Sequence, residues 1–143
     1  MLYFDTSFLT PLLLEEETSE RVENYAIRQP AGELYISHWT RVEFASLIAR
    51  EVRMGGLSGQ DATKVIDQFE EMVEESCRVL LPTAADYELA KVLLATFSAG
   101  LRSGDALHLA IAKNHGADKI LSLDSGLLKA AKVLGIHASR GIR

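Results

Sequence analysis

At 143 residues, 48% of them hydrophobic and 24% charged, the chain is long enough to bury one core, too short for two comfortable domains, and too apolar to be disordered. No apolar run approaches the roughly 20 residues that span a bilayer, and no basic stretch followed by an apolar one opens the chain, so a cytoplasmic protein without a membrane partner is expected. The net charge of −5 argues at first against nucleic acid, yet residues 1–90 hold seven Lys/Arg against 17 Asp/Glu while residues 91–143 hold eight against three, an asymmetry that can mark an electrostatic footprint.

In chain order, residues 2–4 read as a short buried strand, followed by helical patterns over 7–14 and 19–28. A second strand is predicted at 34–37, then helices over 41–54 and 59–75, which Gly55 and Gly56 separate into a helical hairpin. A strand at 78–81 precedes helices over 84–98 and 104–115; a strand at 119–123, a helix over 125–133 and an edge strand near 136–138 complete the chain. Short strands separated by helices predict an α/β fold, a parallel sheet of four or five strands flanked by helices on both faces, in one domain over 1–143. The single Cys77 has no disulfide partner and reads as a half-buried structural residue. The acidic run from Asp67 to Glu75 reads as a solvated helix face.

In such a sheet ligands bind beyond the carboxyl ends of the strands, and four acids are predicted there. Asp5 follows the first strand and Asp124 the last well-defined one; Glu43 and Asp105 lie in the first turns of their helices. Each alone has a local role. Asp5 and Asp124 suit helix N-caps, Thr40 and Glu43 form the T-x-x-E pattern of a capping box, and Asp105 follows Ser103, itself a good N-cap. Together, four carboxylates within several ångströms repel one another, and a bound divalent ion removes the conflict. An all-oxygen set suits Mg²⁺ or Mn²⁺ rather than zinc. His108 lies in the apolar face ALHLAIA and reads as a packed or hydrogen-bonded histidine; His38 and Trp39 read as loop or rim residues, and His115 and His137 carry no pattern.

The order hydrophobic-Asp-Thr-Ser at the start, Glu on an early helix, Gly-Asp-Ala-Leu-His-Leu-Ala opening a late helix, and Leu-Ser-Leu-Asp closing a strand resembles a PIN domain. Within that superfamily the chain is most similar to the small toxins of VapBC toxin–antitoxin pairs, with serine at position 122 where relatives often carry threonine. The resemblance implies a Mg²⁺- or Mn²⁺-dependent endoribonuclease in which Asp5, Glu43, Asp105 and Asp124 hold the metal. It also implies that Thr6, Ser7 and Ser125 support those acids or contact phosphate, and it points to a homodimer and a small antitoxin partner. No Lys or Arg lies within the motifs, so Arg41 and Arg102, close in sequence to site acids, are the candidate RNA contacts. Two other readings fail: no central-strand aspartate with a partnering lysine suits a phosphoacceptor domain, and GGLSGQDATK lacks the G-x-x-x-x-G-K-[ST] of a nucleotide-binding loop. The alternatives that stand are a non-catalytic PIN-like module that binds RNA or protein, and a nuclease that cuts DNA with the same site.

Overall fold

Leu2, Tyr3 and Phe4 are all apolar because the strand they form, β1 (Leu2–Phe4), is covered on both faces. In the computed structural model, which describes residues 1–143, Tyr3 enters one core with Leu109, Ile120 and Leu127. Phe4 enters another with Phe8, Ile36, Phe44 and Phe69. With β2 (Leu34–Ser37), β3 (Arg78–Leu80), β4 (Lys119–Leu121) and β5 (Ala138–Ser139) it forms a five-stranded, wholly parallel sheet in the order β3-β2-β1-β4-β5. Helices α1 (Thr6–Leu13), α2 (Ser19–Ile27), α3 (His38–Arg53) and α4 (Gly59–Ser76) fill the Phe4 side. On the Tyr3 side lie α5 (Ala84–Leu94), α6 (Ser103–Asn114) and α7 (Ser125–Leu134). Because β1 pairs with β2 on one edge and β4 on the other, the strand order reverses there, and a crevice is expected beyond the carboxyl ends of β1 and β4.

Several boundaries differ from the sequence reading. Helix α3 starts at His38, not at Arg41, because Ser37 at the end of β2 is its cap: Ser37 Oγ accepts Thr40 N–H at 3.3 Å while Thr40 Oγ1 accepts Ser37 N–H at 3.2 Å. Thr40 therefore closes the capping box, Glu43 is released from any capping role into the second turn, and His38 and Trp39 are helical rather than loop residues. Helix α5 stops at Leu94, since Thr96 leaves helical backbone at ψ 78° and residues 97–99 form a separate 3₁₀ turn. Arg102, not Ser103, is the cap position of α6. The last strand lies at 138–139 because Gly135, at φ +70°, ends α7 and leaves Ile136 N–H donating to Ala131 O at 2.9 Å. The predicted hairpin of α3 and α4 is present, joined through Gly55 and Gly56 and packed by the stacked rings of Phe44 and Phe69. No helix is long and apolar enough to cross a membrane.

Candidate metal centre

Asp5 leaves β1 and caps α1, as its position in the sequence predicts. Its Oδ1 accepts from Ser7 Oγ at 2.7 Å and Phe8 N–H at 3.3 Å, its Oδ2 accepts from Ser122 Oγ at 3.0 Å, and only 3% of the residue is exposed. Asp124 caps α7 through Oδ1, which accepts Gly126 and Leu127 N–H, and its own N–H donates to Ser122 Oγ at 3.0 Å. Ser122, fully buried at the end of β4, thus bridges the two acids. Glu43 reaches across from α3: its Oε1 accepts Thr6 Oγ1 at 2.7 Å and the Nε2 hydrogen of His108. Asp105, half-buried in the first turn of α6, has no hydrogen-bond donor.

Burial raises the Asp5 carboxyl above its ordinary range, outweighing the nearby His108 and the bonds from Ser7, Ser122 and Phe8. Burial also works to raise Glu43, but the His108 and Thr6 bonds outweigh it and hold the group low. Asp105 is pushed up to about 6, first by burial and then by the charges of Asp124, Asp5 and Glu43, against the opposing pull of His108. Asp105 therefore lies in the field of the other three acids near the carboxyl ends of β1 and β4. The chemistry of the four acids fits a hard divalent cation: the donors are all oxygen, and Glu43 Oε2, Asp124 Oδ2 and both Asp105 oxygens carry no protein donor. As the side chains stand, no group of three or more acidic, His or Cys side chains is disposed to hold an ion. His108 offers no nitrogen, because its ring is 1% exposed and both nitrogens are engaged.

Thr6 and Ser7 bond to Glu43 and Asp5 respectively, and Ser125 is exposed in the first turn of α7. Arg41 is tied to Glu70 of α4 through Nε at 3.0 Å and to His38 through Nη1, whereas Arg102 is exposed at the start of α6. Sequence reasoning gave no part around the acids to Tyr3, Gly104, His108 or Ser122, although the last three lie inside the motifs it quoted. Ser122 left a signal as a hydroxyl inside the apolar run ILSL, and Gly104 and His108 as members of GDALHLA; Tyr3, in an apolar strand, left none. A cavity of about 560 Å³ lies away from the acids, between α1, α2 and the end of α4.

The parallel sheet with carboxylates at its switch point defines the class, and the chain belongs to the PIN domain family, which matches residues 2–133. PIN domains are generally nucleases. Among solved structures the chain is similar to VapC20 of Mycobacterium tuberculosis, a toxin that cleaves the sarcin-ricin loop, at 19% identity and a TM-score of 0.70, covering 91% of this chain and 95% of that one. It is also similar to FitAcB from Neisseria gonorrhoeae, at 22% identity and a TM-score of 0.70 over 99% and 98% of the two chains. A third likeness is to FitAB bound to a DNA fragment, at 19% identity and a TM-score of 0.75 over 97% and 94%. At these identities the likenesses establish the fold. No curated protein matches the sequence.

Proposed function

We propose that this chain is a Mg²⁺- or Mn²⁺-dependent endoribonuclease, one PIN nuclease domain over 1–143, acting in the cytoplasm as the toxin of a toxin–antitoxin pair. The observation that carries the reading is Asp105: a half-buried carboxylate with no donor, set in the field of three other acids at the switch point of the sheet. Asp5, Glu43, Asp105 and Asp124 are the residues that hold the ion. When bound, a hard divalent cation supplies Lewis-acid polarisation of the scissile phosphate and acidification of a water. A carboxylate of the same cluster accepts the proton that water gives up. Thr6, Ser7 and Ser122 keep the acids oriented, and the exposed Arg102 is the first candidate to meet substrate phosphate, with Ser125 beside Asp124 as a further polar contact. Arg41 reaches RNA only by giving up Glu70.

The partner of this reading is a small antitoxin. The 560 Å³ groove suits such a chain, with Phe8, Leu12 and Met72 on its floor and Glu15 and Glu23 at its edge. Exposed Tyr87, Val92 and Phe97, on α5 and the turn after it, support self-association into a homodimer. A non-catalytic module that binds RNA or protein is the second reading, favoured by the absence of any three side chains already disposed around an ion.

The test is cleavage of pooled cellular RNA by purified protein with Mg²⁺ or Mn²⁺, with chelator and Asp5→Asn as controls and single-stranded DNA as a parallel substrate. Losing one carboxylate ligand is expected to cost about 3 kcal/mol of transition-state stabilisation, roughly 100-fold in rate, with RNA binding retained better than cleavage. Undiminished cleavage by Asp5→Asn would reduce Asp5 to a helix cap. Wild-type protein that binds RNA and never cuts it would establish the binding module instead, and cleavage confined to DNA would replace the ribonuclease.

A further inference from the structure

The two oxygens of Glu43 are treated unequally. Oε1 takes two hydrogens, from Thr6 Oγ1 and His108 Nε2, whereas Oε2 takes none and faces the first turn of α6, where a Cβ on Gly104 would stand 2.8 Å away. A carboxylate oxygen only accepts, so Nε2 of His108 carries a hydrogen whether the ring is neutral or charged. The other ring nitrogen, Nδ1, meets the Tyr3 hydroxyl at 2.7 Å, and because a hydroxyl gives or takes a hydrogen, this bond orients the ring in either state.

The chain of bonds continues through buried atoms. Tyr3 Oη meets Ser37 Oγ at 2.9 Å, and Ser37 Oγ accepts the Thr40 N–H that caps α3. Tyr3, Ser37 and Thr40 are wholly buried and His108 is 1% exposed, so no bulk water competes for these bonds. The path runs from the cap of α3 through β1 and α6 and returns to α3 at Glu43, six residues beyond the cap. Packing alone does not require it, since Leu107, Leu109 and Ile111 already fill the surrounding core with apolar groups. A buried polar chain costs desolvation that its bonds only offset, and its one outlet is the carboxylate of Glu43.

We propose that His108, itself oriented by Tyr3, is a positioning residue for the metal site: it pins Oε1 of Glu43 so that Oε2 is presented to a hard divalent cation beside the turn of α6 that bears Asp105. The inference rests on the reading of the four acids as a metal centre. Hydrogen-bonding partners of metal ligands, when removed, typically cost about 10- to 100-fold in affinity.

The experiment is Mn²⁺ titration of purified protein by calorimetry, with thermal melting of each variant alongside, on wild type, His108→Asn, His108→Gln and Tyr3→Phe. The Gln amide extends to where Nε2 lies and keeps a donor for Glu43, whereas the shorter Asn amide reaches only the Tyr3 side. Affinity is expected to fall more than about 10-fold in His108→Asn and, since Gln keeps the donor for Glu43 but not the bond to Tyr3, to fall in His108→Gln by no more than Tyr3→Phe loses. Tyr3→Phe, which removes a single oxygen and keeps the ring, is expected to lose about three- to tenfold. A merely structural histidine predicts equal losses for the two His108 variants, or none for either, and each of those results overturns the proposal. Should both His108 variants fail to fold, wild-type affinity in Tyr3→Phe overturns it. Wild-type protein that binds no Mn²⁺ removes the metal centre and this inference together, a result distinct from intact binding that the variants leave unmoved.

Discussion

Gly104→Ala separates the site from the fold. The added Cβ would lie 2.8 Å from Glu43 Oε2, against 3.4 Å or more in ordinary contact, so the carboxylate must yield by roughly 0.6 Å. The ring of Trp39 does not stand in the way, its nearest atom being 3.5 Å from the new carbon. Glu43 is the part that moves, and Thr6 and His108 resist because both hold its Oε1. Displacement by about 1 Å from reacting geometry costs on the order of 100-fold, so a shift of this size is expected to lower kcat/KM about 10-fold. Stability is expected to stay within about 1 kcal/mol of wild type, because Ala gains up to that much over Gly in a helix while strain on one Glu43 bond takes away a similar amount. The backbone of residue 104 is ordinary α-helix, so alanine introduces no conformational strain. Initial rates of Mn²⁺-supported RNA cleavage, paired with melting curves, measure both quantities. Full activity at an unchanged melting temperature would refute the placement of Glu43 Oε2 at the reacting centre; a loss near 3 kcal/mol in stability would show that the glycine serves the fold instead.

Asp105→Asn removes a charge that burial and three neighbouring acids oppose, and metal-free protein at pH 7 is expected to gain about 1 kcal/mol after solvent screening is allowed for. The folded value of about 6 lies above the unfolded one, so the destabilising contribution is complete above pH 6 and disappears as the pH falls toward 4; denaturant titrations across that window, matched between wild type and variant, test the sign. Mg²⁺ is expected to raise the melting temperature of wild type and to do so less for Asp105→Asn, and equal shifts would deny Asp105 a place at the ion. Away from the site, Asp86 on α5 is fully buried and bonded to Thr83 N–H, Asn114 Nδ2 and His115 Nε2; burial works to raise its carboxyl, but these partners outweigh it and hold it below the ordinary range. Its contribution is therefore present above the unfolded value near 4 and lost as the pH falls through the lower folded one, and Asp86→Ala, which strands three donors, is expected to cost about 2 kcal/mol in chemical denaturation at pH 7. A variant with wild-type stability would show that the α5–α6 clamp contributes nothing.

The sheet was legible because its strands carry contrast. Leu2-Tyr3-Phe4 and the Ile120-Leu121 part of β4 are apolar, a pattern that fits burial on both faces, and the helices between the strands supply the crossovers a parallel sheet needs. The boundaries that escaped are those decided by polar competition at element ends. T-x-x-E at 40–43 and S-x-x-T at 37–40 are both acceptable caps, and only the tertiary position of Ser37, held at the end of β2 beside Tyr3, selects the second. Gly135 likewise ends α7 with a bond from Ile136 that takes that residue out of the last strand.

Asp5 and Asp124 stood out for a different reason, as carboxylates next to apolar strand ends, while Glu43 and Asp105, inside helices, stood out only through the order of the motifs. Their supports did not, because a tyrosine in an apolar strand, a histidine in an apolar helix face and a glycine in a helix start all have ordinary structural uses. Tyr3 belongs to the core by its ring and to the site by one oxygen, and no spacing rule distinguishes those uses. Gly104 is informative only through what an added carbon would strike, a fact that depends on Glu43 crossing from another helix. The carboxylates themselves show the same division. Asp5 and Asp124 each commit Oδ1 to a helix cap, yet Asp5 Oδ2 accepts Ser122 alone and Asp124 Oδ2 accepts nothing. The capping reading and the metal reading therefore describe different oxygens of the same side chains. A cap fixes where such a carboxylate stands without using its full capacity to accept, which is why an acid that ends a strand here can begin a helix and still serve a site.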